Sequence, residues 1–564
     1  MNSSKNRVVL GLNAYSHDSG VALFVDGSLR FAAEEERYDR RKHSAAFPRG
    51  ALAAALRQAG LAPREIGLVA FPWRRGMGRL RKALYVLRRL PRSLPFLTER
   101  PEGLPPRLAY LRSVAGLASD LREAGIEAPV RHVDHHLAHA VQAYRFGPAE
   151  RAAVLTMDGM GEWTAAATWA FGPDGSRRLA SRCYPHSLGK VYAAVTQHLG
   201  FLPDADEGKT MGLAPYGGES LLPAFRDLVR ADARRLYCVR LGGFAYPLGR
   251  TRMGGAPFDR RFGPPRPPHA PLEPRHADLA RAAQAVLEEV VLDVARRLRL
   301  ETGLPHLGLA GGLFLNCVLN SRLRESAGFD SLFVFPAAGD AGAAAGAAAL
   351  VADAPRRDVG HSYLGDAIDE AEIDRALEGR VHRVVTDPAE TAAEALAAGG
   401  IVGWVQGRME FGPRALGARS ILADPRDPGI RDRLNREVKL REDFRPFAPA
   451  VLLEAADDWF EGAGPSPFML LTFRVRGSQR VRIGGAVHVD GSARVQTVAR
   501  DHPLPPFRRL IEAFARRTGV PMVINTSFNI RGEPIVRTAA EALRVFDRGA
   551  LTMLVLGDRV LRRQ

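Results

Sequence analysis

Two stretches of this chain follow one plan. Arg7–Asn13 and Gly20–Val25 are β-rich runs, Asp26-Gly27 is a hairpin turn, and Ser28–Ala33 returns as a third strand. Farther on, Ala153–Met157 is a strand ending at Asp158-Gly159, Thr164–Phe171 is a second, Asp174-Gly175 turns the chain, and Arg178–Tyr184 is a third. Each copy reads strand, polar glycine-containing loop, strand, D-G turn, strand. An internal repeat constrains the fold more than any propensity, because both copies must find the same kind of partner.

Two such halves facing a common cleft are the arrangement of the actin, sugar-kinase and heat-shock-ATPase (ASKHA) superfamily, which this layout resembles. There the loops after the first strands cradle phosphate with backbone N–H groups. The expected class is therefore α/β, with a duplicated ASKHA-type N-terminal domain. Downstream, Ala277–Thr302 reads as a long amphipathic helix stopped by Gly303-Leu304-Pro305. His306–Ala310 is a buried strand, and Gly311-Gly312 is a tight turn where a ligand can approach the backbone closely. A helix over Leu313–Arg324, a strand over Ser331–Pro336 and a small-residue helix after Gly339-Asp340-Ala341-Gly342 follow, while Pro247–Pro274 reads as a long surface loop. At 564 residues the chain exceeds one ordinary core, and the composition shift at Ala354–Asp366 predicts domains 1–360 and 361–564. The second reads as α/β again. Its expected strands are Ile401–Val405, Phe447–Leu453, Pro521–Asn525 and Leu551–Gly557, with a hairpin over Arg480–Thr497 around Asp490-Gly491 and a helix over Pro505–Arg517.

With 46% hydrophobic and 25% charged residues the composition is that of a globular protein. No run approaches the roughly 20 apolar residues of a membrane span, and Val8–Leu12 is too short for a signal core. Three widely spaced cysteines, Cys183, Cys238 and Cys317, form no disulfide framework, which points to the cytoplasm, and the lack of an apolar span leads to no expected membrane partner. The net charge of +17 favours anionic partners. Most arginines are scattered; the exception is Trp73–Arg92, where eight basic residues interleave with Leu, Tyr and Val. Such a stripe suits nucleic acid or a membrane surface, or a surface helix packed on a core.

Val133-Asp134-His135-His136-Leu137-Ala138-His139-Ala140 reads as a helix start capped by Asp134. His135 and His139 lie one turn apart on one face, able to share a metal ion or simply to be satisfied in a core. A zinc peptidase needs Glu after the first His, and here that position is His136. Asp158 and Asp340, both following predicted strands, are the carboxylates that complete a metal set. Two imidazoles and two carboxylates suit Fe, Mn or Zn rather than Mg. His17, in the loop Ser16–Gly20, is the candidate general base. Lys42, in Arg40-Arg41-Lys42-His43, is a candidate phosphate contact. Glu207-Gly208-Lys209-Thr210 is no P-loop, because position 203 is Pro where a Gly is required. In the second domain, Gly407–Ser420, Lys439, Arg445 and Asn525–Gly532 bring together cations with Ser and Asn donors, a pattern suited to two anionic substrates.

These pieces resemble the O-carbamoyltransferases of nodulation-factor and antibiotic biosynthesis. The resemblance rests on His17-Asp18-Ser19-Gly20, His135–Ala140, Glu207–Gly217, Ala310–Asn316, Arg408–Ser420 and Asn525–Gly532, in that order across nearly the whole chain. It implies an ASKHA-type module similar to the transferase of tRNA threonylcarbamoylation, fused to a YrdC-like α/β module. By that resemblance the YrdC-like module forms carbamoyl adenylate from carbamoyl phosphate and ATP, with Mg²⁺ accompanying the nucleotide. Arg414, Lys439, Arg445, Asn525, Ser527 and Arg531 match its anion-binding motifs, and Gly311 and Gly312 match backbone positions of the transfer site. Fe²⁺ held by His135, His139, Asp158 and Asp340 then binds the phosphate of the intermediate, Lys42 neutralises it, and His17 deprotonates the acceptor hydroxyl. The expected acceptor is a hydroxyl of a secondary metabolite or sugar, with an aminoglycoside, a cephalosporin, a macrolide or ansamycin polyketide and a chito-oligosaccharide all open; apolar residues interleaved in 73–115 favour a polyketide. The competing reading is a tRNA threonylcarbamoyl-type enzyme or tRNA-binding module, against which stands the lack of any RNA-binding motif. A kinase or ATP switch on the same fold leaves the His pair and the second module unexplained.

Overall fold

β1 (Val8–Asn13) is buried at every position, as a strand with neighbours on both edges and cover on its faces must be. It pairs antiparallel with β2 (Gly20–Val25), which pairs antiparallel with β3 (Ser28–Glu34). On its other edge β1 pairs in parallel with β4 (Leu68–Phe71), and β4 with β5 (Val130–His132). In a second sheet β6 (Ala152–Gly161) pairs antiparallel with β7 (Thr164–Gly172), and β7 with β8 (Gly175–Cys183). After a hairpin of β9 (Val229–Asp232) and β10 (Leu236–Val239), β11 (His306–Ala310) joins β6 in parallel and β12 (Ser331–Val334) joins β11. The orders are β3-β2-β1-β4-β5 and β8-β7-β6-β11-β12. Strand for strand they are the same, so the repeat in the sequence is a duplication of topology, the ASKHA-type layout expected. In this computed structural model, residues 7–74, 79–100, 112–249, 251–353, 355–356 and 360–563 are described. Parts of the expected basic stripe (75–78), of the apolar stretch (101–111), of the Pro-rich loop (250) and of the domain junction (354, 357–359) lie outside the described residues.

The two sheets exchange helices. α1 (Arg49–Ala59) covers β2 and β3. α2 (His135–Arg145) follows the last strand of the first sheet yet packs on β6 and β11 of the second. Next come α3 (Leu188–His198), α4 (Glu207–Leu213), the 29-residue α5 (Pro274–Thr302) and α6 (Cys317–Ser326). α7 (Asp340–Val351) follows the last strand of the second sheet and packs on β1, β2 and β4 of the first, and on α2. This exchange brings the first turn of α2 to the first residue of α7. It also explains why α7 is Gly and Ala with no polar face: a Cβ on Gly346 would sit 1.9 Å from the Ala138 carbonyl oxygen, and one on Gly11 of β1 would sit 2.1 Å from that of Ala344. Gly346→Leu should therefore lose more than the roughly 1–3 kcal/mol of ordinary overpacking. A wild-type thermal denaturation midpoint for that variant would refute this close packing.

The chain forms two compact units, Met1–Glu35 with His43–Gly360, and Glu36–Lys42 with His361–Gln564. In the second, β13 (Tyr363–Ala367) and β16 (Arg408–Glu410) pair antiparallel. The main sheet holds β14 (Arg383–Val384), β15 (Val402–Val405), β17 (Arg419–Ala423), β18 (Ala448–Leu452), β21 (Gln496–Val498), β22 (Met522–Ser527), β23 (Met553–Leu556) and β24 (Arg559–Arg562), in the order β14-β24-β23-β15-β17-β22-β18-β21. Strand alternation splits its apolar residues between two cores. Trp404, Leu422, Met553 and Val555 pack with residues of α8 (Pro388–Ala397) and α9 (Pro505–Thr518), whereas Val405, Ile421, Ile524 and Leu554 pack with those of α10 (Ala539–Asp547). Glu36–Lys42 is tied into this unit by Tyr38 Oη donating to Asp366 (2.6 Å) and Arg40 donating to the Ile535 carbonyl (2.7 Å).

Four local expectations change. Pro247–Pro274 contains a helix, Ala256–Phe262, because Phe258 and Phe262 bury one face against Phe244 and Phe225. The helix expected from Leu313 starts at Cys317, where Asn316 caps it by accepting the Leu319 N–H at 3.0 Å. Arg480–Thr497 is not one hairpin. Asp490-Gly491 does turn, but Gly484-Gly485 break the preceding run into a 3₁₀ turn, so β20 (Ser492–Arg494) pairs with β19 (Thr472–Arg474) instead. Finally, β24 follows Leu551–Gly557, through a turn in which Gly557 adopts φ 61°.

Candidate metal centre and anion site

Asp134 caps α2 by accepting the Leu137 N–H at 2.9 Å, so the helix starts where His135 and His139 share one face. His135 Nδ1 lies 3.2 Å from the Pro72 carbonyl oxygen and His139 Nδ1 lies 3.4 Å from Gln142 Oε1. Gln142 is itself oriented by donating Nε2–H to the Ala337 carbonyl at 2.5 Å. With both Nδ1–H groups donated outward, both Nε2 lone pairs point inward, 3.1 Å apart. Two facing lone pairs repel unless a proton or a metal cation lies between them. His136 differs: Thr156 Oγ1 (2.9 Å) and the Thr164 carbonyl (3.1 Å) satisfy both its nitrogens, and burial pushes it down to about 3. It is the core histidine of the three.

The carboxylates come from the other half of the repeat. Asp158 ends the regular part of β6, where a register shift between Met157 and Gly161 re-aims the chain. Its Oδ2 lies 3.3 Å from His135 Nε2, and its Oδ1 faces the Gly312 N–H at 3.4 Å. Asp340 opens α7, with Oδ1 3.4 Å from His135 Nε2 and 3.6 Å from His139 Nε2. That oxygen is buried without a hydrogen-bond partner. One donor atom from each of His135, His139, Asp158 and Asp340 lies within 4.8 Å of the others, and all four side chains are buried. The donor set and the orphaned oxygen fit a divalent transition-metal ion.

Burial opposes charge on His135, but the carboxylates of Asp340 and Asp158 outweigh it and hold the imidazole well above its ordinary value. Burial likewise opposes the Asp340 anion, yet the neighbouring imidazoles keep it down at about 2. The free site thus stores a proton where a metal would bind. Metal affinity should rise with pH, by up to about tenfold per unit for each proton displaced. Calorimetric titration with Mn²⁺ in buffers of different ionisation enthalpy would detect the released proton, and a pH-independent affinity would refute this competition.

His17 belongs to this centre. Asp18 accepts from its Nδ1 (3.0 Å) and from His43 Nδ1 (2.8 Å), leaving His17 Nε2 3.9 Å from Asp340 Oδ2. Burial is outweighed by Asp340 and Asp18, which raise His17 to about 10. The loop is a tense one, with Tyr15 and Asp18 at φ 71° and 57°.

Further residues close in on the centre, of which Trp73 and Gly161 had no signal as its neighbours in the sequence. The Trp73 indole stacks on His135 at 4.1 Å, held by Nε1–H donation to Asn13 at 3.0 Å. Gly161 is required there, since a Cβ would lie 2.2 Å from His135 Cδ2. Gly311 (φ 104°) brings its backbone against Met157, so the Gly311-Gly312 turn serves the approach to Asp158. Glu207 of the E-G-K-T run starts α4. Burial and then Asp204 raise it to about 7, while Asp204 is clamped by Lys190 Nζ at 2.7 and 2.9 Å.

The second unit gathers cations. Lys439 closes a π-helical stretch, Leu434–Lys439, and is buried. Its Nζ faces Ser527 Oγ (3.1 Å), the Asn529 carbonyl (3.1 Å), Asn529 Oδ1 (2.8 Å) and the Ser527 carbonyl. Burial, then Arg441, Arg445 and Lys42, push Lys439 well below its ordinary value. Lys42 thus acts on Lys439 from the segment Glu36–Lys42 of this unit, and Arg441 is a member the sequence did not single out. Three cations that disfavour charge on Lys439 are offset by an anion. Asn525 is occupied elsewhere. Its amide donates to Gln496 Oε1 (2.8 Å) and the Ala415 carbonyl (3.3 Å), holding the loop that carries Arg414. From the other side Glu410 Oε1 accepts the N–H groups of Leu416, Ala418 and Arg419 at 2.7–3.2 Å. Arg531 is exposed and reaches the Leu440 carbonyl at 3.4 Å.

Known proteins match this chain, some of them over nearly its whole length. An uncharacterized protein of Synechocystis sp. is 38% identical over 98% of this chain and 96% of its own length. Nodulation protein NolNO of Sinorhizobium fredii is 36% identical over 98% of this chain and 80% of its own. The 3'-hydroxymethylcephem-O-carbamoyltransferase of Streptomyces clavuligerus is 38% identical over 49% of this chain and 52% of its own. Residues 8–349, which hold the His/Asp centre, match the family described as Carbamoyltransferase N-terminus, and residues 393–563, which hold most of the cation cluster, match Carbamoyltransferase C-terminus. With both halves matched in order, the chain belongs to the carbamoyltransferase family.

Proposed function

We propose that this protein is an ATP-dependent O-carbamoyltransferase that divides its reaction between the two units. In the YrdC-like second unit carbamoyl phosphate is hydrolysed to carbamate and phosphate, and carbamate attacks the α-phosphate of ATP, giving carbamoyl adenylate and pyrophosphate. The observation that carries this reading is the buried Lys439, set among Ser527 and Asn529 oxygens, on which Arg441, Arg445 and Lys42 all act as like charges, an environment suited to anions. Arg414 and Ser527 add donors for phosphate oxygens, and Mg²⁺ accompanies the nucleotide.

In the first unit the acceptor oxygen bonds to the carbamoyl carbon, the C–O bond to phosphate breaks, and AMP leaves. An alcohol is a weak nucleophile at neutral pH, so its proton must be taken as the bond forms. His17, held by Asp18 with Nε2 turned toward the centre, supports that role. A metal held by His135, His139, Asp158 and Asp340, Fe²⁺ by family resemblance, supplies positive charge for the leaving phosphate. With the carboxylates compensated, the pull that keeps His17 protonated is spent. Trp73, packed over His135, keeps that side of the centre dry.

The acceptor is proposed to be a hydroxyl of a secondary metabolite, a class supported by the cephem-carbamoylating relative's name. The free cysteines fit a cytoplasmic setting. Purified protein incubated with labelled carbamoyl phosphate, ATP and a panel of hydroxylated antibiotics, polyketides and chito-oligosaccharides should label one acceptor class. Tight, salt-dependent transfer RNA binding with no labelled small molecule would replace this reading by the tRNA-directed one.

A further inference from the structure

The helix Arg79–Leu87 presents two opposite faces. Lys82, Tyr85 and Val86 are buried; Tyr85 donates to the Pro247 carbonyl at 2.8 Å and packs edge-on against Trp163 and Tyr184. Leu80, Leu84 and Leu87, at i, i+4 and i+7, fall within roughly 60° of one another on the other side. They are 88%, 48% and 63% exposed, and Leu90 and Leu94, which follow the helix in the chain, are 47% and 52% exposed. These leucines face solvent on the side turned away from the packed face. Arg81, Arg88 and Arg92 are exposed beside them. From Arg74 to Thr98 the chain has eight basic residues and no Asp or Glu. No helix among the described residues is long and apolar enough to cross a membrane.

We propose that this face lies on an anionic phospholipid surface, with the leucines entering the acyl boundary and the arginines at the headgroup phosphates. An apolar stripe alone would suit many partners; the one-sided charge selects a negative one, and a laterally fluid lipid surface is matched by leucines flanked with arginines on flexible stems. Each basic residue near such a surface adds attraction that salt weakens, so apolar contact and charge are both needed. This attachment is independent of the chemistry proposed above.

Flotation of the full-length protein with vesicles of phosphatidylcholine alone, or mixed with phosphatidylglycerol, tests it. Binding is expected only with the anionic lipid and is expected to weaken with salt. Leu84→Glu with Leu87→Glu should lower it by roughly tenfold or more, and Arg88→Ala with Arg92→Ala should lower it severalfold. Pyrophosphate release from ATP and carbamoyl phosphate should be unchanged in both variants. Absence of binding to anionic vesicles, or equal binding by the leucine variant, overturns the proposal. So does conversion of a dimer to a monomer by the leucine substitutions, which would assign the face to a second copy of this chain.

Discussion

Lys439→Met should abolish pyrophosphate release from ATP and carbamoyl phosphate while leaving the metal content of the protein unchanged. The Lys439 ammonium is buried among oxygens of Ser527 and Asn529, with Arg441, Arg445 and Lys42 acting on it from nearby. A substrate phosphate exchanges that repulsion for attraction in a site of low dielectric, where one preorganised charge is worth most. Loss of one such contact costs about 10²–10³-fold in rate, and here two anionic substrates depend on the same cluster. Methionine keeps the length of the stem and removes the like-charge repulsion. Leaving the Ser527 and Asn529 oxygens without their donor costs about 1–3 kcal/mol, so the thermal midpoint serves as the control for folding. Ser527→Ala should give a smaller loss in the same assay. Pyrophosphate release within a few-fold of wild type in the Lys439 variant would place the adenylate chemistry elsewhere. Unchanged iron or manganese by elemental analysis separates this outcome from general damage.

The duplication was legible because its signals are local: alternating apolar residues, an Asp-Gly turn and a glycine-bearing loop recur in both copies, and β1–β3 and β6–β8 form where those signals stand. The convergence of His135, His139, Asp158 and Asp340 was also legible. H-x-x-x-H on a capped helix needs only helix geometry, and Asp158 ends the regular part of β6 while Asp340 comes after β12. The second layer was not legible. Gln142 orients His139 from one turn along α2, but a glutamine on a helix carries no signal until its partner Ala337, brought close by the packing of α7, is known. Trp73 read as part of a basic stripe, although its indole belongs to His135. Asn525 matched an anion-binding motif by its neighbours in the chain, yet long-range pairing with Gln496 and Ala415 consumes its donors. Lys42 stands in a basic cluster that suits a phosphate, and only the family resemblance linked it to the transfer site. The hydrogen bonds of Tyr38 and Arg40 carry its segment into the second unit, a tertiary outcome with no local signature.

His17→Asn should separate the two half-reactions in the opposite sense. Pyrophosphate release should stay within a few-fold of wild type, because His17 lies in the first unit and the cation cluster in the second. Carbamoyl transfer should fall by about 10²–10⁴-fold, the usual worth of a general base. Asparagine retains a polar group for Asp18 and changes little volume, so the loop through Tyr15 and Asp18 keeps its partners, but no amide takes a proton from an alcohol. The pH dependence distinguishes a base from a merely structural residue. In the metal-free site Asp340 and Asp18, against burial, raise His17 to about 10. A raised value means that the protonated, non-basic form prevails at neutral pH until the carboxylates are compensated. Transfer by the metal-loaded wild type should therefore rise with pH through the neutral range as His17 loses its proton, and the residual transfer by the variant should lack that limb. Metal content serves as the second control, since Asp340 lies 3.9 Å from His17 Nε2. Transfer at wild-type rate, or a variant profile that keeps the alkaline rise, would assign the proton to another group; Glu207, raised to about 7 by burial and Asp204, would then be the next residue to replace.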